Sequence, residues 1–227
     1  MNIKSLLKKI FLFSILFYLN KSNIFAGHWQ IRHSNYMEGY IAKNLKLGND
    51  FELWIYDHPS TIRFYEVEEK IILQSTRKQS FAVGFENDFY PMTNSDTGVF
   101  QPWIHELAIN TYMKNKIRMF KMDFSIDLTA TQRFVGHSKG NWSYGSIKPG
   151  MTLLKSKNGT IYIYDRLYYG YHNYDVDRNR TAIGAEIKLV NDKVKLDTYF
   201  MIEYNRSESS PKWIPTNVLG LNLSTNF

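Results

Sequence analysis

Residues 119–134 read MFKMDFSIDLTATQRF. Phe120, Met122, Phe124, Ile126, Leu128 and Ala130 alternate with Lys121, Asp123, Ser125, Asp127, Thr129, Thr131 and Arg133. Period two puts successive side chains on opposite faces of a strand. Here one face is oily and the other polar or charged, so the strand separates two unlike surroundings. At ~3.3 Å per residue the stretch is about 50 Å long, more than a ~30 Å hydrocarbon layer, and one end is expected to project as a loop ribbon.

The pattern recurs toward the C-terminus. Thr181, Ile183, Ala185, Ile187 and Leu189 oppose Arg178, Arg180, Glu186 and Lys188, and Leu196, Phe200 and Ile202 oppose Asp197, Tyr199 and Glu203. In the closing residues 217–227, NVLGLNLSTNF, a single face carries Leu219, Leu221, Leu223, Thr225 and Phe227. A terminal Phe with apolar residues at every second position before it resembles the outer-membrane targeting signal read by the barrel-assembly machinery. Leu219, Leu221, Leu223 and Phe227 are the residues expected to carry that signal. A last strand that pairs with the first removes both open edges, and its lipid row must then be apolar.

Upstream, strands are expected at 36–47, 51–56, 63–74, 80–90, 103–114, 142–154 and 160–170, with no helical period longer than two turns. These and the four above make eleven. Bacterial single-chain barrels have even counts, so about twelve are expected, with ten as the alternative and residues 28–33 as the place for the extra strand. Gly48-Asn49-Asp50, Lys157-Asn158-Gly159 and Val190-Asn191-Asp192 read as tight turns facing the periplasm. Longer connections around Pro59, 91–102, 136–141, 172–177 and 207–215 read as extracellular loops. A soluble β-sandwich has no reason to alternate short and long connections. The expectation is an all-β fold, a transmembrane antiparallel up-and-down β-barrel.

Lys4, Lys8 and Lys9, the apolar run 10–19 and a polar exit to Ala26 read as a signal peptide, residues 1–26, followed by a barrel over 27–227. Ten apolar residues reach only ~15 Å as a helix, half a membrane. The formal charge is +7, but the first 26 residues hold four of the 28 Lys and Arg and none of the 21 acids, leaving +3. That gives no case for a nucleic-acid partner. With no Cys, disulfides and thiolate metal sites are excluded. The expected location is the bacterial outer membrane, with lipid, lipopolysaccharide and, during insertion, the assembly machinery as partners.

Tyr164-Asp165-Arg166-Leu167-Tyr168-Tyr169, then Asp177-Arg178-Asn179-Arg180 and Gly184, resemble motifs of the domain-of-unknown-function 2490 family. Thr131-Gln132-Arg133-Phe134 is similar to that family's acid-Gln-Arg-Phe strand end. Gly84 within 80–85 and His105-Glu106 fall in the same order. Arg166 stands where the family usually has an acid, and Leu107 where an Arg is usual. The resemblance implies an outer-membrane barrel and carries no activity.

The residues expected on the inward face are Lys121, Asp123, Asp127 and Arg133 on one strand, Arg178, Arg180, Glu186 and Lys188 on another, and Asp197 and Glu203 on a third. They line either a narrow channel for small polar or anionic solutes or a self-satisfied core. A structural, non-enzymatic envelope component is the first reading. The rival is an outer-membrane lipid hydrolase of the lipid A deacylase or phospholipase kind, for which His137-Ser138 is the candidate adjacent pair. Adjacent strand residues point to opposite faces, which argues against a dyad. The other His residues lack metal-ligand spacing, and no metal or cofactor is expected.

Overall fold

The computed structural model describes residues 28–56, 62–93, 100–119, 122–135, 141–171, 175–190, 193–207 and 210–227. They form eleven strands: β1 (His28–Ala42), β2 (Leu45–Tyr56), β3 (Ile62–Leu73), β4 (Gln79–Thr93), β5 (Phe100–Met119), β6 (Met122–Val135), β7 (Trp142–Ser156), β8 (Gly159–Gly170), β9 (Asp175–Val190), β10 (Val194–Ser207) and β11 (Ser210–Asn226). Each pairs with its sequence neighbours and β1 pairs with β11, so the sheet closes into a barrel.

The count is eleven, where about twelve was expected. Residues 28–33 supply no extra strand, because β1 runs through them and on to Ala42. An odd number of up-and-down strands makes the first and last run the same way. The β1–β11 seam is accordingly parallel, from His28 opposite Thr216 to Glu38 opposite Asn226, while every other pairing is antiparallel. The strand ends that flank 43–44, 74–78, 120–121, 157–158 and 191–193 lie at one end of the barrel, the turn end. The strand ends that flank 57–61, 94–99, 136–141, 171–174 and 208–209 lie at the other, the loop end.

Local details also differ from the sequence reading. Gly48-Asn49-Asp50 is no turn. It lies inside β2, and the chain reverses at 43–44. Gly48 makes room for a neighbour instead, since a Cβ there would sit 3.0 Å from the Tyr36 hydroxyl. The strand expected over 119–134 is β6, which starts later, at Met122, with Met119 ending β5 opposite it. At 14 residues and ~3.3 Å per residue β6 is still roughly 46 Å long. The stretch 207–215 is mostly strand, β11 beginning at Ser210. Its prolines sit near the strand's start, where a missing ladder donor costs least.

Burial is inverted relative to a water-soluble domain. Among the described residues only five hydrophobic side chains are buried, against twelve polar or charged ones, with Arg32 and Glu68 at 2% and Asp88 at 1% exposure. Soluble proteins almost never bury such groups in number. Ile71, Phe85, Ile109, Ile147, Ile183 and Leu221 stand on the outer surface of six different strands and are all exposed. Period-two alternation around a closed ring therefore turns the oily faces outward and the ionised faces inward. A small apolar patch of Ala182, Met201 and Val218, with Tyr164 and Tyr199 against it, interrupts the polar interior on β8–β11.

Candidate functional site

Inside the barrel is a cavity of about 1300 Å³. At the loop end it is bounded by Asn141, Asp175 and Arg206, and it descends to Asp50, Lys70, Asp127 and Lys148. Other inward groups nearer the turn end do not line it, because they engage one another. The Tyr162 hydroxyl donates to both oxygens of Asp197 at 2.8 and 2.7 Å, Lys46 pairs with Glu38 at 2.7 Å and Lys195 with Glu186 at 3.3 Å. Toward the turn end the inward side chains are thus engaged in pairs with one another.

One wall is acidic, and strand register builds it. Glu52 on β2 lies directly opposite Glu66 on β3, Glu66 opposite Asp88 on β4, and Asp88 opposite Glu106 on β5. In the row below, Asp50 faces Glu68, and Glu68 faces Glu86. Like charges directly opposite are unfavourable, and two cations answer most of them. Arg133 reaches Glu86 at 2.7 Å and Glu106 at 3.3 Å and also pairs with Asp88. Lys70 holds Glu68 at 2.6 Å and Asp50 at 3.5 Å. Asn110 donates to Glu68 and Glu86 and accepts from Thr131 at 2.6 Å.

A second cluster spans the seam. Glu203 on β10 accepts from Arg32 at 2.7 Å and from Arg180 at 2.5 Å. Arg32 also bonds Gln30 and lies 3.7 Å over the Trp54 ring. Arg180 donates to the Tyr168 hydroxyl at 2.6 Å. Buried ion pairs of this kind are costly to form and costlier to break by halves.

Of the residues expected inside, Asp127, Arg133, Arg178, Arg180 and Glu203 line the cavity. Asp197, Glu186 and Lys188 lie toward the turn end, outside that lining. Asp123 is at the turn-end rim, pairing with Lys155 at 2.7 Å. Lys121 and the His137-Ser138 pair lie outside the described residues. The sequence reading missed the acidic wall, together with Arg32, Lys148 and Arg166. Its signal was the alternation of Asp50, Glu52 and Trp54 with Phe51, Leu53 and Ile55, which the misplaced turn obscured.

Glu66, Glu68 and Glu86 bring carboxylate oxygens within 4.8 Å of one another. Glu68 and Glu86 are already engaged by Lys70, Asn110, Tyr112 and Arg133, so the trio is poorly suited to a hard cation that needs several free oxygens.

Motif residues divide between the two faces. Arg133 and Glu106 meet inside, whereas His105 turns out to Asn87 at 3.0 Å. Asp165 also faces outward, accepting from Asn179 at 2.9 Å and Thr181 at 2.7 Å. Compared with known protein families and with curated proteins, the chain finds no match.

Proposed function

We propose that this chain is a transmembrane β-barrel of the bacterial outer membrane, a non-enzymatic envelope component whose lumen is a cup accessible to small polar solutes from the loop end. The observation that carries the reading is the inverted burial: exposed aliphatic and aromatic side chains on every side of a closed ring, around an interior of ion pairs. Closed barrels are the β-structures that satisfy every backbone group in lipid, and an outward apolar band with a polar interior is their pattern. The likeness to the domain-of-unknown-function 2490 family supports the same architecture. So does the terminal Leu219, Leu221, Leu223 and Phe227 row, on the strand that closes the ring.

The floor of paired side chains favours a cup over an open channel. In cell fractionation the protein is expected in outer-membrane vesicles, resistant to alkaline extraction and migrating differently on gels before and after boiling. Recovery as a soluble periplasmic protein would overturn the reading. In planar bilayers the refolded barrel is expected to give no discrete conductance steps, and steady steps would restore the narrow channel.

A further inference from the structure

The charges lining the cup do not all find partners, and those left over stand on opposite sides. Among the described residues Glu66 has no hydrogen bond or ion pair, and Glu52 accepts only from the Trp54 indole, at 2.5 Å. Both carboxylates line the cavity and face each other across the β2–β3 ladder. On the far side Arg166 bonds two neutral hydroxyls, Ser146 at 3.0 Å and Thr129 at 3.1 Å, and stacks on Tyr168. Arg178 also lies against the Tyr168 ring, and neither guanidinium pairs with a carboxylate among the described residues.

Ring order places these groups. In the eleven-strand ring β8 is five strands from β2 in one direction and five from β3 in the other, so Arg166 stands diametrically across from the Glu52–Glu66 pair. Strands ~4.8 Å apart and tilted ~40° make such a ring roughly 22 Å across. Long side chains from both walls shorten that gap to the scale of a small molecule.

We propose that the cup binds a small zwitterionic solute of the amino-acid or short-peptide class, its ammonium between Glu52 and Glu66 and its carboxylate on Arg166 and Arg178. A simple anion leaves the two carboxylates unanswered, and a simple cation leaves the two guanidiniums unanswered. A dipeptide, with charged ends ~7 Å apart when extended, answers both. Aromatic surface is at hand for its apolar part, since Trp54 and Phe64 lie one pair above Glu52 and Glu66 with ring centroids 4.2 Å apart. The inference rests on the outer-membrane reading only for the side from which solute enters. Binding itself is measurable in micelles.

The experiment is calorimetric titration of the full barrel refolded in detergent with three forms of one skeleton: alanyl-alanine, its N-acetyl derivative and its C-terminal amide. The free dipeptide is expected to bind saturably, and each blocked form at least about tenfold more weakly, the loss of one charge-assisted contact. Arg166→Gln should weaken the dipeptide about tenfold and leave the amide unchanged. Glu66→Gln should weaken the dipeptide and spare the acetylated form. Arg178→Gln and Glu52→Gln serve as second variants on each wall, with retained strand circular dichroism and boiling-dependent gel mobility as the folding check. Equal binding of all three probes, an amide as tight as the dipeptide, or no saturable binding to correctly folded barrel would overturn the proposal. The outer-membrane reading fails separately, by fractionation.

Discussion

Glu52 and Glu66 stand directly opposite one another across the β2–β3 ladder, two inward carboxylates with no cation paired to either among the described residues. Glu66 has Asp88 as its neighbour on the other side. Opposed like charges on a sheet cost roughly 0.2–1 kcal/mol per pair. Glu66→Gln is nearly isosteric and removes a charge from both pairs, so it is expected to stabilise the barrel by about 1 kcal/mol. Urea unfolding of the refolded protein followed by Trp fluorescence checks this, and a lower midpoint for the variant contradicts it.

Arg133 has the opposite role. Among the described residues it is the one guanidinium that meets Glu86, Asp88 and Glu106 together. Arg133→Met keeps most of its length and leaves three inward carboxylates without their cation. Breaking one side of a buried ionic cluster costs about 3–5 kcal/mol, so the variant should refold poorly at neutral pH. Adding Glu86→Gln and Asp88→Asn should recover much of the loss, because the uncompensated charge is what destabilises. A triple variant no better folded than Arg133→Met would show that the guanidinium acts through packing against Trp142 and Tyr144 instead.

The acidic wall shows where sequence reasoning runs out. Alternation within a strand is a local property, and it announced β6, β9 and β10 plainly, with Arg133, Arg180 and Glu203 on the inner face. Opposition between strands is not local. Glu52 meets Glu66 because the chain reverses at 43–44 and again after Tyr56, and a one-residue slip would have turned every one of these side chains outward. Reading Gly48-Asn49-Asp50 as a turn cut Asp50 from its strand and left 51–56 too short to show its phase. On β3, Glu69 is exposed on the outer face among Val67 and Ile71, which blurs the alternation there. The strand number was misjudged for another reason: the eleven segments were visible, and a parity habit of bacterial barrels added a twelfth. That habit says nothing of a seam in which β1 and β11 run parallel.

Two glycines deep in the interior each face a tyrosine. Gly184 lies opposite Tyr162 and Gly220 opposite Tyr199 across their ladders. In both, the tyrosine ring lies over the glycine closely enough that an added Cβ would collide with it. Glycine on a strand face allows such an approach. Gly220→Ala should therefore cost roughly 1–3 kcal/mol through overpacking, and Tyr199→Leu in the same chain should return part of it by clearing the space. Thermal unfolding in micelles reads the effect. Additive losses in the double variant would mean that the two residues do not share the space.

The outer surface allows the sharpest separation of a lipid-facing sheet from a water-facing one. Ile183 on β9 and Leu128 on β6 are 47% and 37% exposed, each on the oily face of its strand and away from the strand ends. In water, an exposed aliphatic residue replaced by Arg changes stability by about 0.5 kcal/mol or less. At the midplane of a bilayer the same change costs about 2–4 kcal/mol, and it falls toward zero near the interfaces. Ile183→Arg and Leu128→Arg, refolded into lipid vesicles and unfolded with guanidinium, should each lose about 2–4 kcal/mol. Leu189→Arg, next to the turn end of β9, should lose less than about 1 kcal/mol. Three equal and negligible losses would place water, not acyl chains, against this face, and the depth dependence is the signal that no soluble barrel reproduces.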